Sequence, residues 1–161
     1  MTHAAAPAED STTLVITRLL RAPRALVWKM FSDPYHLAQW WGPKGFTNRV
    51  DKLDFRTGGS WLHVMIGPDG KEYPTANDIV EVTPPSRISF RNAPADPKVF
   101  GDNPPPGFTK TISFIETNAG TMLTLVAIFD KPERKDAVIR RGFSIGTNES
   151  FDKLEALLAA P

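Results

Sequence analysis

Cysteine is absent from the 161-residue chain. Disulfides, thiolate catalysis and Cys-ligated zinc are therefore excluded. The absence fits a reducing compartment, so a cytoplasmic location is expected. Charge of either sign is not in excess: 19 basic and 18 acidic residues leave a net charge of +1, which gives no electrostatic case for nucleic acid or an anionic membrane. No run approaches the ~18 apolar residues of a membrane-crossing helix. The start, "MTHAAAPAEDSTT", lacks the cationic and apolar regions of a secretory signal. Histidine occurs three times, at positions 3, 36 and 63, with no metal-ligand spacing, so no metal site is expected. Nucleophile-elbow, Walker and dinucleotide motifs are missing too, and no cofactor is expected. "GPDG" is a turn signal without the ligand spacing of a calcium loop.

What is present is patterned. Hydrophobic residues make up 41%, and a chain of this length favours one domain with a real core. Residues 1–12 read as a flexible tail and residues 13–160 as a single domain. "TLVITRLLRA" (13–22) is a strand. Pro23 then opens a helix, and Asp33-Pro34 caps and opens a second, which Gly42-Pro43 ends. Leu37, Trp40 and Trp41 share one face of it. Six strand-like segments follow, joined by short turns, and Pro74 marks an edge or a bulge. A long helix is expected from about Pro132 to about Ala159. Strand, two helices, six strands and a long helix imply an α+β domain: an antiparallel sheet with the helices laid on it.

The last helix carries a stripe of Ile139, Phe143, Gly146, Ser150, Leu154 and Leu157, small in its middle at Gly142, Gly146 and Ser150. A mid-helix glycine costs about 1 kcal/mol against alanine, so its presence calls for a reason. Close packing is one reading and room for a ligand is the other. In "SWLHVMI", Trp61, His63 and Met65 share one face and Leu62, Val64 and Ile66 the other. A lone imidazole among large apolar groups assigns the first face to the interior. Ile112 and Phe114 share a face of a later strand, as do Leu123, Leu125, Ala127 and Phe129 of the last. His63 and Glu149 are the candidates for acid–base work, though no catalytic residue is assigned, and the alternative for His63 is a hydrogen-bonded wall histidine. Residues 92–107, with five prolines, form either a plain surface loop or a partial lid.

The order "TR…AP…VW…F.DP..L..WWGP", then "DFRTGG", "GPDG" and "GT.LTL", resembles the family named after activators of the heat-shock protein 90 ATPase. That family lies within the helix-grip superfamily of START-like lipid-transfer domains, birch-pollen-type allergens and polyketide cyclases. The match runs from about Thr13 to Leu158. The resemblance implies a helix-grip fold, a curved antiparallel sheet around a long C-terminal helix, with a cavity between them near the WWGP helix end. Arg56 matches a family motif and reads as structural, paired with a carbonyl or an acid. Two positions depart from the family pattern: Thr147 stands where tryptophan is frequent, and Asn77 where glycine is common. The expected cavity residues are Trp41, Phe46, Trp61, His63, Met65, Asn77, Phe90, Phe114, Phe129, Phe143 and Thr147. Binding of a small hydrophobic or amphipathic ligand ranks first. A cofactor-free cyclase or hydrolase using the same cavity ranks second. A chaperone-associated module ranks third, because the family's namesakes carry a separate N-terminal domain and only a dozen or so residues precede the first strand here. Homodimerisation and a chaperone partner stay open.

Overall fold

The computed structural model describes residues 9–93, 98 and 107–160. Most of the expected lid segment, and the first eight residues of the expected tail, lie outside the described residues. Of that tail, Asp10 bridges to Thr13, and Lys135 Nζ donates to the carbonyls of both.

The strands are β1 (Thr13–Leu20), β2 (Thr47–Leu53), β3 (Ser60–Ile66), β4 (Glu72–Thr83), β5 (Arg87–Asn92), β6 (Thr109–Thr117) and β7 (Gly120–Ile128). They form one antiparallel sheet in the order β1-β7-β6-β5-β4-β3-β2, so the α+β fold class is borne out. Strands β2 to β7 run as a meander, and β1 closes on β7 at the far edge from β2. Helices α1 (Arg24–Ser32) and α2 (Pro34–Trp40) therefore carry the chain from one edge of the sheet to the other. Register shifts at Val50/Lys52 and Ile79/Glu81 are bulges, which bend strands and curve a sheet. Pro74 lies where β4 pairs with β3, while the register with β5 begins only at Asn77. Its missing N–H thus faces away from a ladder.

Local chemistry explains the boundaries. The Asp33 side chain accepts from Tyr35 N at 2.9 Å, and Pro34 starts α2 behind it. The β6–β7 turn ends on Gly120, at φ +139°, where a Cβ would overlap the Leu20 carbonyl oxygen. Only glycine lets β7 pass that close to the end of β1.

The expected continuous C-terminal helix is corrected to two. Helix α3 spans Pro132–Arg140 and helix α4 spans Phe143–Ala159, with Gly142 between them at φ +89°. Gly142 N donates to Ile139 O at 2.9 Å, which closes α3. A left-handed glycine behind a basic last turn is a favoured helix stop. Ile139, on a separate helix, leaves the expected stripe and is 40% exposed. Ser150, Phe151 and Leu154 form the buried side of α4, which packs on β1 and α2.

The core fills the inner face of the sheet. Trp40 is fully buried, edge-on to Phe31 at 4.7 Å, with its indole N–H donating to Met30 O at 2.9 Å. Phe31 in turn meets Phe114 at 4.9 Å.

Candidate functional site

The two adjacent tryptophans have different duties. Trp40 is core. Trp41, the first residue past α2, is half-buried and turns onto the sheet. Its ring is edge-on to Trp61 at 4.7 Å and to Phe90 at 6.1 Å. His63 stacks on Trp61 at 4.5 Å with an interplanar angle of 23°. Trp61, His63 and Phe90 are all buried, whereas Leu62 on the opposite face is exposed.

A row of helix residues holds the loop that follows Trp41. Gly146, Glu149, Ser150 and Lys153 recur at three- and four-residue spacing, so they share one face of α4. All four touch the loop that follows Trp41. Ser150 Oγ accepts from Gly42 N at 2.9 Å and lies 2.9 Å from Gly42 O as a donor. A Cβ on Gly146 would sit 3.4 Å from Pro43 Cγ. Glu149 Oε1 accepts from Lys44 N at 3.3 Å. Lys153 Nζ donates to Pro43 O at 3.3 Å and Phe46 O at 3.2 Å. Of the small residues expected in the middle of one helix, Ser150 and Gly146 thus face the WWGP turn, while Gly142 lies between the two helices. Burial lowers the pKa of Lys153, and the Glu149 carboxylate opposes that shift.

A cavity of about 20 Å³ lies between this aromatic wall and the first two helices. It takes about one water. Phe31 and Leu37 cover it, Trp41, Trp61 and Phe90 form one wall, and Leu53, Phe55, Ile79, Ile88 and Ser89 complete it. It sits under α1 and α2, a place in the fold separate from the cavity expected beneath the C-terminal helix. The helices that carry Phe31 and Leu37 bridge the two sheet edges there.

Three of the expected cavity residues line this space: Trp41, Trp61 and Phe90. His63 lies behind Trp61. Met65 supports Gly42, its sulfur 3.8 Å from where a Cβ would be. Phe46 leans on Tyr73 at 6.0 Å. Asn77 is buried and registers with Trp61 and Asn92 on its two sides. Phe114 packs against Trp28 and Phe31 of α1. Phe129 stacks on Phe108 at 4.6 Å, and Phe108 is edge-on to Phe143 at 5.1 Å, so these form a second aromatic group. Thr147 is half-buried on α4. Arg56 pairs with Asp54 at 3.0 Å.

The electrostatics are those of a desolvated interior. The Asn48 amide nitrogen is 3.0 Å from His63 Nδ1, and with the amide donating, the ring proton sits on Nε2. Burial first, and the charge of Lys110 second, push the imidazole down to about 4. Lys110 itself is only 5% exposed, and burial pushes its amine down to about 7. Sequence reasoning missed this lysine, although period two from Ile112 and Phe114 puts it on their face. Among the described residues two buried side-chain polar atoms have no partner: Trp61 Nε1 and Asn48 Oδ1. Among the described residues no cluster of three or more His, Asp or Glu could hold a metal, and no helix is long and apolar enough to cross a membrane.

Comparison with known proteins agrees with this architecture. A search of curated proteins found no match. A protein from Mycobacterium smegmatis is similar at 31% identity and TM-score 0.82, over 94% of this chain and 93% of that one. A protein from Nitrosomonas europaea is similar at 28% identity and TM-score 0.80, over 95% and 97%. An Arthrobacter aurescens protein shares the fold at TM-score 0.87 and 22% identity, over 96% and 91%. Residues 21–159, nearly the whole domain, match the family described as Activator of Hsp90 ATPase homolog 1-like protein, and the chain belongs to that family.

Proposed function

We propose that the protein binds a small hydrophobic or amphipathic molecule against the wall of Trp41, Trp61 and Phe90. The observation that carries this reading is the Trp61 indole. Its ring is buried in an apolar cavity wall while its N–H has no acceptor among the described residues. An unsatisfied buried donor costs about 1–3 kcal/mol, and folded proteins retain few of them. A ligand acceptor relieves that cost. Apolar walls with a few polar groups are the usual make-up of small-molecule sites. Entry requires the cavity to widen, and Trp41, the half-exposed member of the wall, is the ring that can turn aside.

Binding is favoured over acid–base catalysis by the state of the two candidates. An imidazole held near 4 is a weak base at neutral pH, and its ring is oriented by an amide rather than a carboxylate. Glu149 is engaged with the Lys44 backbone. The co-chaperone reading rests on the family name alone.

The test uses N-phenyl-1-naphthylamine, a neutral probe that brightens in apolar sites, together with native mass spectrometry of the purified protein. Saturable brightening that weakens severalfold in Trp61→Ala, or a co-purified small molecule, is the expected result. A probe that stays dark, with a native mass equal to the bare chain, refutes the reading.

A further inference from the structure

Lys110 is the buried amine that the aromatic wall does not explain. It lies on β6 opposite Phe90 and Ala127, on the same inward face as Ile112 and Phe114. Its Nζ donates to Asn92 Oδ1 at 3.0 Å and lies 4.0 Å above the Phe108 ring and 5.2 Å above the Phe90 ring. An ammonium has three N–H donors, and Asn92 takes one of them. Among the described residues no carboxylate pairs with it. A buried cation without a counter-charge is costly, and such groups concentrate at functional sites. Its position is specific. The Phe90 ring borders both Lys110 and the cavity, and Phe108 ties the lysine to the second aromatic group with Phe129 and Phe143. The amine therefore stands where the two aromatic groups of the inner face meet. His63 is uncharged at neutral pH and does not compete with it for an anion.

We infer that Lys110 receives the carboxylate head of an amphipathic ligand whose apolar body lies along Phe90, Trp61 and Trp41. The assignment rests on the binding reading proposed above and adds the ligand's charge to it. Asn92 holds the amine in position, the ring faces favour its protonated form, and the carboxylate supplies the missing counter-charge. The apolar rings then supply most of the affinity, and Lys110 supplies the choice between an acid and its neutral analogue.

The experiment compares 1-naphthaleneacetate with 1-naphthaleneethanol, which share a body and differ in the head, by isothermal titration on the full chain. Wild type should bind the acid at least about tenfold more tightly, the range of one hydrogen bond to a charged group. In Lys110→Met the acid should fall to the affinity of the alcohol, and the alcohol should bind as before. If Lys110→Met does not fold, Lys110→Gln, which keeps a polar head for Asn92, carries the same comparison. Equal affinity of wild type for the two compounds, or a preference that survives loss of the lysine, overturns the assignment while leaving the binding reading intact. Binding of neither compound also overturns it, and a dark N-phenyl-1-naphthylamine result then removes the binding reading as well.

Discussion

Replacing Ser150 with alanine tests whether α4 holds the loop after Trp41. The hydroxyl accepts from the buried Gly42 N–H at 2.9 Å, and it can donate to Gly42 O at 2.9 Å or to Gly146 O at 3.0 Å. One hydroxyl proton serves one carbonyl at a time. Ser150→Ala leaves the Gly42 N–H buried without an acceptor, at about 1–3 kcal/mol, and removes one neutral hydrogen bond worth about 0.5–1.5 kcal/mol. Alanine no longer buries a hydroxyl, which offsets part of the loss. The expected net effect is about 2 kcal/mol, or roughly 4–8 °C in Tm for a chain of this size. Urea unfolding should show a lower midpoint with an unchanged slope. Lys153 holds the same loop through Pro43 O and Phe46 O. Ser150→Ala with Lys153→Met should therefore depart from additivity by about 0.5 kcal/mol or more. Tryptophan emission should also shift, because Trp41 adjoins Gly42. A Ser150→Ala variant within about 0.5 kcal/mol of wild type, the range of ordinary surface changes, would refute the clamp.

Trp40→Ala should cost about 3–5 kcal/mol, since it empties the site of a fully buried ring and orphans Met30 O; melting like wild type would show that the ring is not core. Gly120→Ala should be among the most damaging single-methyl changes, at about 3 kcal/mol or more, because its Cβ overlaps Leu20 O at a left-handed φ; a soluble variant with a wild-type Tm would contradict that approach. The His63 pKa falls from 6.5 unfolded to about 4 folded, so between these values only the unfolded chain binds the proton. Stability should therefore drop as pH falls from 6.5 to 4, by up to about 3 kcal/mol from this residue, and His63→Phe should flatten that part of the profile in pH-dependent urea unfolding. Lys110 acts in a higher window: its amine falls from 10.5 to about 7 on folding, so stability should rise with pH between those values, and Lys110→Met should lose that rise.

Local chemistry made the element order legible in the sequence. Proline at helix starts, Asp33 as a cap, glycine-bearing turns and period-two strands are short-range signals, and they yielded two helices, seven strands and a C-terminal helical region in the observed order. The same alternation that turns Trp61 and His63 inward and Leu62 outward is visible in seven letters. Even the break at Gly142 was readable, since Arg140, Arg141 and Gly142 together spell a helix end. The site was different. Ser150 and Gly146 look like a stripe of small residues until the fold brings Gly42 and Pro43 against them, more than a hundred positions away in the chain. Period two places Lys110 on the face of Ile112 and Phe114, but only the fold brings Phe90, Asn92 and Phe108 around its amine. Periodicity records which face a side chain takes, and the sequence determined that much by itself. What stands opposite that face depends on how the sheet curves and where two helices cross its edges, so the cavity, the clamp and the buried amine were decided only by tertiary packing.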